Sequence, residues 1–406
     1  GAILFFTTSF SIGMAIAAGA LVARSLGAGA AEAARQTASH ALVYGVLLGT
    51  AFAVFVWIYV PVFVGWIGAT DETARLAVLY LRIIVPSLPL LVLGMIGGAL
   101  LRAHGDARRA MMATIYGGLA NAILDPILIF GLNMELSGAA VASVMARIVI
   151  SVMSLLPIIR HYGGFVRPDL GGLLRDLRPV LAIATPAIMT QLATPVGQAY
   201  VTRSMAAYGE AAVAGMAIVS RLTPVAFGVV FALSGAVGPI IGQNFGAERH
   251  DRVKNAYRDA LVFCAVFVVL VSALLFALRA PIAGLFEADG ITLQLVYLFC
   301  GPLALAFFFN GVIFVSNAAF NNLGHPFYST WINWGRHTLG TIPFVLLGSL
   351  IFGATGVLIG QAVGGLIFAI VAFVLARRVT EGGGAPKGRP LFEQRGRLIQ
   401  LFHNRR

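Results

Sequence analysis

Residues 121–131 read NAILDPILIFG. Asn121 and Asp125 stand one helical turn apart in an otherwise apolar run, so both project from one face of a helix. Pro126 follows directly. It offers no N–H to the carbonyl of Ala122, which predicts a kink and a free oxygen at that level. A buried carboxylate is costly, and what it means depends on the solvent around it.

Composition defines that solvent. The 406 residues are 59% hydrophobic and 11% charged, with mean hydropathy +0.90. A soluble domain carries about 25% charged residues. Apolar stretches of roughly 20 residues recur from end to end, each long enough to cross ~30 Å of hydrocarbon. The runs are continuous, unlike the alternating pattern of a porin-like barrel. The fold class is an all-α polytopic membrane protein whose constant partner is the bilayer. The net charge of +12 comes from Arg and Lys in short loops and at the C-terminus, which is the pattern of cytoplasmic loops rather than of a nucleic-acid face. Cys264 and Cys300 lie in apolar spans without ligand-like spacing and read as packing residues. No metal or cofactor cluster and no nucleophile–base set is evident, so an enzyme is not expected. The chain opens at Gly1 within an apolar segment and with no charged region before it, so this is no signal peptide.

Charged, Gly-rich and Pro-rich punctuation divides the chain into about eleven spans: 1–26, 37–60, 73–101, 109–131, 138–159, 179–207, 211–243, 253–278, 291–321, 327–351 and 354–376. The connecting loops alternate sides. SLGAGAAEAAR, RAHGDARR, the stretch 161–178, NFGAERHDRVKNAYR and the tail hold most of the basic residues, which predicts a cytoplasmic C-terminus in a bacterial inner membrane.

The opening stretch also has an echo. LDPILIFG ending at Gly131 returns as TIPFVLLG ending at Gly348, 217 residues on. Leu26-Gly27-Ala28 returns as Phe245-Gly246-Ala247, and Gly105 of LRAHGD as Gly324 of NNLGHP, both at 219; Ser137-Gly138-Ala139 returns as Thr355-Gly356-Val357 at 218. Four landmarks in one order predict an internal repeat. The expected domains are an N-terminal bundle 1–160, a cytoplasmic linker 161–178, a C-terminal bundle 179–378 and a basic cytoplasmic tail 379–406. In this register Gly1 matches a position near 220, which predicts one further helix upstream and six per half. An even number makes the bundles parallel, with a midplane cavity and alternating access between them.

The motifs ARSLGAGAAEAAR, GALLRAHGDARRAM, NAILDPILIFG with SGAAVASVMAR, and AVGPIIGQNFGA resemble those of multidrug and toxic compound extrusion (MATE) transporters, in particular the DNA-damage-inducible-F-like branch. The resemblance runs from Ser9 to about Arg378. It implies two six-helix lobes in a V that export cationic, amphipathic drugs in exchange for protons or sodium ions, with no resident cofactor. In such proteins an Asn-x-x-x-Asp pair and a hydroxyl on the next helix belong to a cation site with a first-helix aspartate. Asn121, Asp125 and Ser143 match these positions. The sodium-coupled NorM branch adds acidic residues on its seventh and tenth helices; here 179–207 and 291–321 contain neither Asp nor Glu. With the principal carboxylate expected upstream, the chain as given is expected not to transport until roughly 40 residues carrying one Asp-bearing span are added.

Taken from the ends of the two spans, Asp125 and Ser143 fall at matching depth, about 8–9 Å inside. With the Asn121 amide and the freed carbonyl they make a hard oxygen set for Na⁺ or a proton. A second reading pairs Asp125 with Arg147, one turn beyond Ser143. Arg221, within an apolar span, and Gln191 and Gln198, on the helix bent by Pro186 and Pro195, are further coupling or cavity candidates. Asn310, after Phe307-Phe308-Phe309, is another. Arg336 with His337 admits either role. The leading function is a monomeric cation-coupled antiporter for organic cations; the alternative is a lipid-linked-oligosaccharide flippase of the same superfamily. The tail GRPLFEQRGRLIQLFHNRR is read as a basic helix on the anionic leaflet or as a disordered segment.

Overall fold

The computed structural model describes residues 2–66 and 71–382. Among them are helices and no strands: α1 Ala2–Gly27, α2 Ala31–Trp66, α3 Asp71–Ile84, α4 Leu88–Ala103, α5 Ala107–Pro126, α6 Glu135–His161, α7 Leu170–Ala206, α8 Glu210–Gly246, α9 His250–Leu285, α10 Gly290–Leu298, α11 Ala304–Asn322, α12 Pro326–His337 and α13 Ile342–Thr380. Among the described residues, ten helical segments are long and apolar enough to cross a membrane. The last, Pro326–Thr380, is 55 residues long and reverses at Gly353, whose backbone sits at φ 63°, ψ −137°. Added methyl groups at Gly356, Gly360 and Gly364 would run into the carbonyls of Gly348, Phe344 and Gly340. That descending order marks two antiparallel arms in backbone contact. The segment therefore makes two passes, in line with the eleven spans read from the sequence.

Proline breaks the long segments where the chain must bend. Pro86 ends α3 in a single tight turn, Val85–Ser87, before α4 begins. Pro302 does the same between α10 and α11, in the wide turn Phe299–Leu303 with Gly301 at φ −107°, ψ −113°. Pro126 closes α5, and the chain continues as a π-helical turn, Ile127–Gly131.

The chain divides into two compact units, Gly1–Ile188 and Met189–Arg406. The boundary falls inside α7, later than the expected linker 161–178. That linker is non-helical only to Asp169. The Asp169 carboxylate accepts from the Gly172 N–H at 2.7 Å, and this cap starts α7 inside the polar stretch. All but the first four residues of the expected tail 379–406 lie outside the described residues.

Helix bounds repeat more strictly than the sequence motifs do. The ends Gly27, Trp66, Ala103 and His161 return as Gly246, Leu285, Asn322 and Thr380; the starts Ala31, Asp71, Ala107 and Glu135 return as His250, Gly290, Pro326 and, after Gly353, Ala354. Every pair is 219 apart. Small residues make the seams inside each unit: a methyl at Gly19 would lie 3.3 Å from Ala99 Cβ, and one at Gly97 2.9 Å from Ser154 Cβ. The outward faces are apolar too. On α9, Val262, Val266, Val269, Leu270 and Leu274 are all more than half exposed, while Tyr257, Ala260, Cys264 and Val268 are buried on the other side. A helix apolar on both faces is solvated by lipid.

Candidate functional site

The sequence-expected site lies on the α5–α6 hairpin of the first unit. Gly117 packs on Ile150 and the Ala146 carbonyl, and a methyl at Gly138 would meet the Leu128 carbonyl oxygen at 2.9 Å. This antiparallel register sets Ser143 level with Asn121 and Ala122, and Asp125 level with Ala140 and Val141. The expected equal depth of Asp125 and Ser143 is therefore corrected. The cause is the start of α6: it begins at Glu135, three residues before the Gly138 taken from the sequence. Ser143 is carried roughly 4 Å deeper as a result.

All three side chains are half-buried. The Asn121 amide nitrogen is enclosed and without a partner among the described residues. Asp125 enters no ion pair or hydrogen bond there, and Ser143 donates to nothing. In particular, the Asp125–Arg147 pair is not made. Arg147 Nη1 instead donates to the Ile84 carbonyl at 3.2 Å and to Ser87 Oγ at 2.8 Å. The tight turn sends the Leu88 N–H to the Val85 carbonyl, and the guanidinium takes the Ile84 carbonyl left open. Arg147 is thus a positioning residue for the α3–α4 break, leaving Asp125 uncompensated.

The remaining candidates belong to the second unit. Gln191 and Gln198 are half-buried on α7, and the Gln198 carbonyl accepts from the Thr202 hydroxyl at 2.8 Å. Arg221 is exposed on α8, six residues before the irregular turn at Phe227. Asn310 is committed: its Oδ1 accepts from Arg336 Nη1 at 3.1 Å.

One buried polar pair had no signal in the sequence. His40 Nδ1 and Asp176 Oδ2 are 2.8 Å apart, with side chains 0% and 5% exposed. Beside them Ser39 Oγ accepts from the Val166 N–H at 2.8 Å, and the Tyr44 hydroxyl donates to the Leu173 carbonyl. Helix α2 thereby holds the start of α7. The partners are separated by more than a hundred residues, so no spacing links them.

Comparison with known proteins bears on what this frame is for. The MatE family profile matches residues 1–127 and 186–347. A FAD transporter of Shewanella oneidensis is 30% identical over 383 residues, covering 92% of this chain and 84% of that protein. The multidrug export protein MepA of Staphylococcus aureus is 23% identical over 375 residues, 90% of this chain and 82% of its own length. The crystal structure of an aspartate-to-asparagine mutant of the Vibrio cholerae MATE transporter VcmN shares the fold at a TM-score of 0.88 and 23% identity, covering 93% of this chain and 86% of that one. The family is one of transporters rather than enzymes. This chain, a multi-pass helical membrane protein, belongs to the MATE family.

Proposed function

We propose that the chain is a secondary antiporter of the bacterial plasma membrane, exporting amphipathic organic molecules in exchange for protons or sodium ions. One observation carries the reading: Asp125 stands in an apolar run with neither Arg147 nor any other cation to neutralise it among the described residues. Intramembrane carboxylates left in this state exchange ions. Asn121, whose enclosed amide lacks a partner, and Ser143, level with it, stand on the same hairpin, and Pro126 frees the Ala122 carbonyl. Together they offer oxygens at two adjacent levels. The coupling ion is cargo, and no resident cofactor, nucleic acid or second subunit enters the mechanism. The basic loops orient the C-terminus to the cytoplasm. The match to the MatE profile and the relationship to MepA favour this reading over a lipid-linked-oligosaccharide flippase.

Export driven by imposed pH and sodium gradients, each alone, tests it in proteoliposomes. With an Asp-bearing upstream span supplied, Asp125→Asn abolishes gradient-driven export of a cargo that the same protein moves with Asp125 in place, while the protein remains monodisperse. Undiminished export by the variant would remove Asp125 from the mechanism.

A further inference from the structure

Arg336 stands next to last in α12 and is 9% exposed. The helix stops there because Thr338 leaves helical geometry at φ −112°, ψ −80°. The Arg336 carbonyl accepts from the Thr341 hydroxyl at 2.8 Å, which fixes the backbone. Its guanidinium is fixed as well: Nη1 donates to Asn310 Oδ1 at 3.1 Å and Nε donates to His337 Nε2 at 3.1 Å. With Nε2 as acceptor, the neutral imidazole carries its proton on Nδ1, which is enclosed and without a partner among the described residues. Arg336 Nη2 likewise makes no bond there, and it is not sealed over.

A charge held in a membrane interior needs an opposite charge. None is available nearby: beyond Glu210 at its first residue, α8 has no Asp or Glu, and α11, α12 and α13 have none at all. The Phe314 ring lies 5.6 Å from the Arg336 guanidinium carbon and attracts it without neutralising it. Phe314 in turn is 5.2 Å from Phe231, and Phe231 is 5.7 Å from Phe307. Phe231 is 45% exposed. A pre-oriented cation with spare donors thus adjoins an aromatic wall that is open in part. This is the complement of a flat ring system bearing a negative group.

We infer that the second unit contains a binding site for aromatic organic anions, with Arg336 as the counter-charge, Asn310 and His337 holding it in place, and Phe231, Phe307 and Phe314 receiving the ring. The inference rests on the reading of the chain as an exporter of amphipathic molecules and names a cargo class for it.

Flavin mononucleotide and riboflavin differ by one phosphate, and ethidium carries the opposite charge. Their binding to the purified chain in detergent is followed by fluorescence. The parent chain binds flavin mononucleotide roughly tenfold or more tighter than riboflavin. Arg336→Gln abolishes that preference and leaves riboflavin and ethidium binding in place. Equal affinity of the parent chain for the two flavins overturns the proposal whatever the variant does. Should Arg336→Gln lose its fold, Asn310→Ala keeps the charge and frees its anchor. It lowers the phosphate preference several-fold, and an unchanged ratio overturns the proposal. These measurements need no gradient. Phosphate preference without gradient-driven export, even with an Asp-bearing upstream span supplied, would sink the antiporter reading alone; coupled export without phosphate preference would sink the anion site alone.

Discussion

Gly364 and Gly365 are neighbours on α13, and one substitution made at each should have opposite consequences. A methyl at Gly364 would overlap the Gly340 carbonyl oxygen and approach Gly340 Cα at 2.9 Å, whereas one at Gly365 meets nothing within 4 Å. Alanine gains about 1 kcal/mol over glycine from helix propensity at either position. At Gly364 that gain is opposed by backbone on backbone, which no rotamer change relieves. The arms must part by roughly 1 Å, and a gap of ~0.5–1 Å forfeits a quarter to a half of each dispersion well along a seam. The contacts of Gly360 with Phe344 and of Gly356 with Gly348 lie on that same seam. Overpacking of this kind costs about 1–3 kcal/mol where side chains are the obstacle. Here the upper end applies, leaving Gly364→Ala destabilised by about 2 kcal/mol after the propensity gain. Gly365→Ala should be neutral or stabilised by up to about 1 kcal/mol. Thermal unfolding of the two variants in one detergent, read by thiol-reactive fluorescence at the buried Cys264 and Cys300, makes the comparison. Equal unfolding temperatures would refute the close antiparallel packing of the two arms, and with it the reversal at Gly353.

Two further outcomes concern the first unit. Asp106 caps α5, accepting from the Arg109 N–H at 3.1 Å and from Arg109 Nη1 at 2.6 Å, with the Tyr162 hydroxyl at 2.7 Å. Burial raises its pKa, and the bonds from Arg109 and Tyr162 outweigh this and lower it. A carboxyl lowered in the folded state adds stability above its unfolded value near ~4, and that share is lost as the pH falls through the folded value. Asp106→Asn should therefore cost about 1 kcal/mol at neutral pH and flatten the acid limb of the unfolding-temperature profile below about pH 4; an unchanged limb would contradict the assignment. For His40 and Asp176, removing the carboxylate strands the buried imidazole, so Asp176→Leu should cost about 3 kcal/mol, and His40→Phe combined with Asp176→Leu should cost less. Additive losses in the double variant would show that the pair is not a unit.

The sequence shows its frame because the frame is made of composition and period. Eleven apolar runs, glycines at seams and prolines at bends follow from chain-local chemistry, and the echo of LDPILIFG in TIPFVLLG exposes the repeat. Boundaries were less legible. The charged run before Arg178 looks like a linker until the Asp169 cap is known, and Gly138 looks like a helix start until α6 is seen to begin at Glu135. Partnerships were not legible at all. Arg147 stands one turn from Ser143 in sequence, yet it spends its donors on a turn broken by Pro86 some sixty residues away.

The repeat also explains where function can differ between the units. Seam and bend positions recur at one register because each unit needs the same close approaches and the same interruptions. Charges within the apolar spans do not recur. In the alignment that carries Pro126 onto Pro343, Asp125 falls on Ile342; in the register of the helix bounds, Arg336 falls on Gly117. Each substitution suits its place: Gly117 lies against Ile150 and the Ala146 carbonyl, where no side chain fits, and Arg336 occupies the end of a helix that stops early at Thr338. The first unit thus carries a carboxylate without a cation, and the second a guanidinium without a carboxylate. A scaffold that doubles its packing code while placing different charges within its spans separates stability from chemistry. On that ground, exchanging the charge at Asp125 or Arg336 should alter what is bound or coupled, while exchanging a methyl at Gly364 should alter only whether the unit holds together.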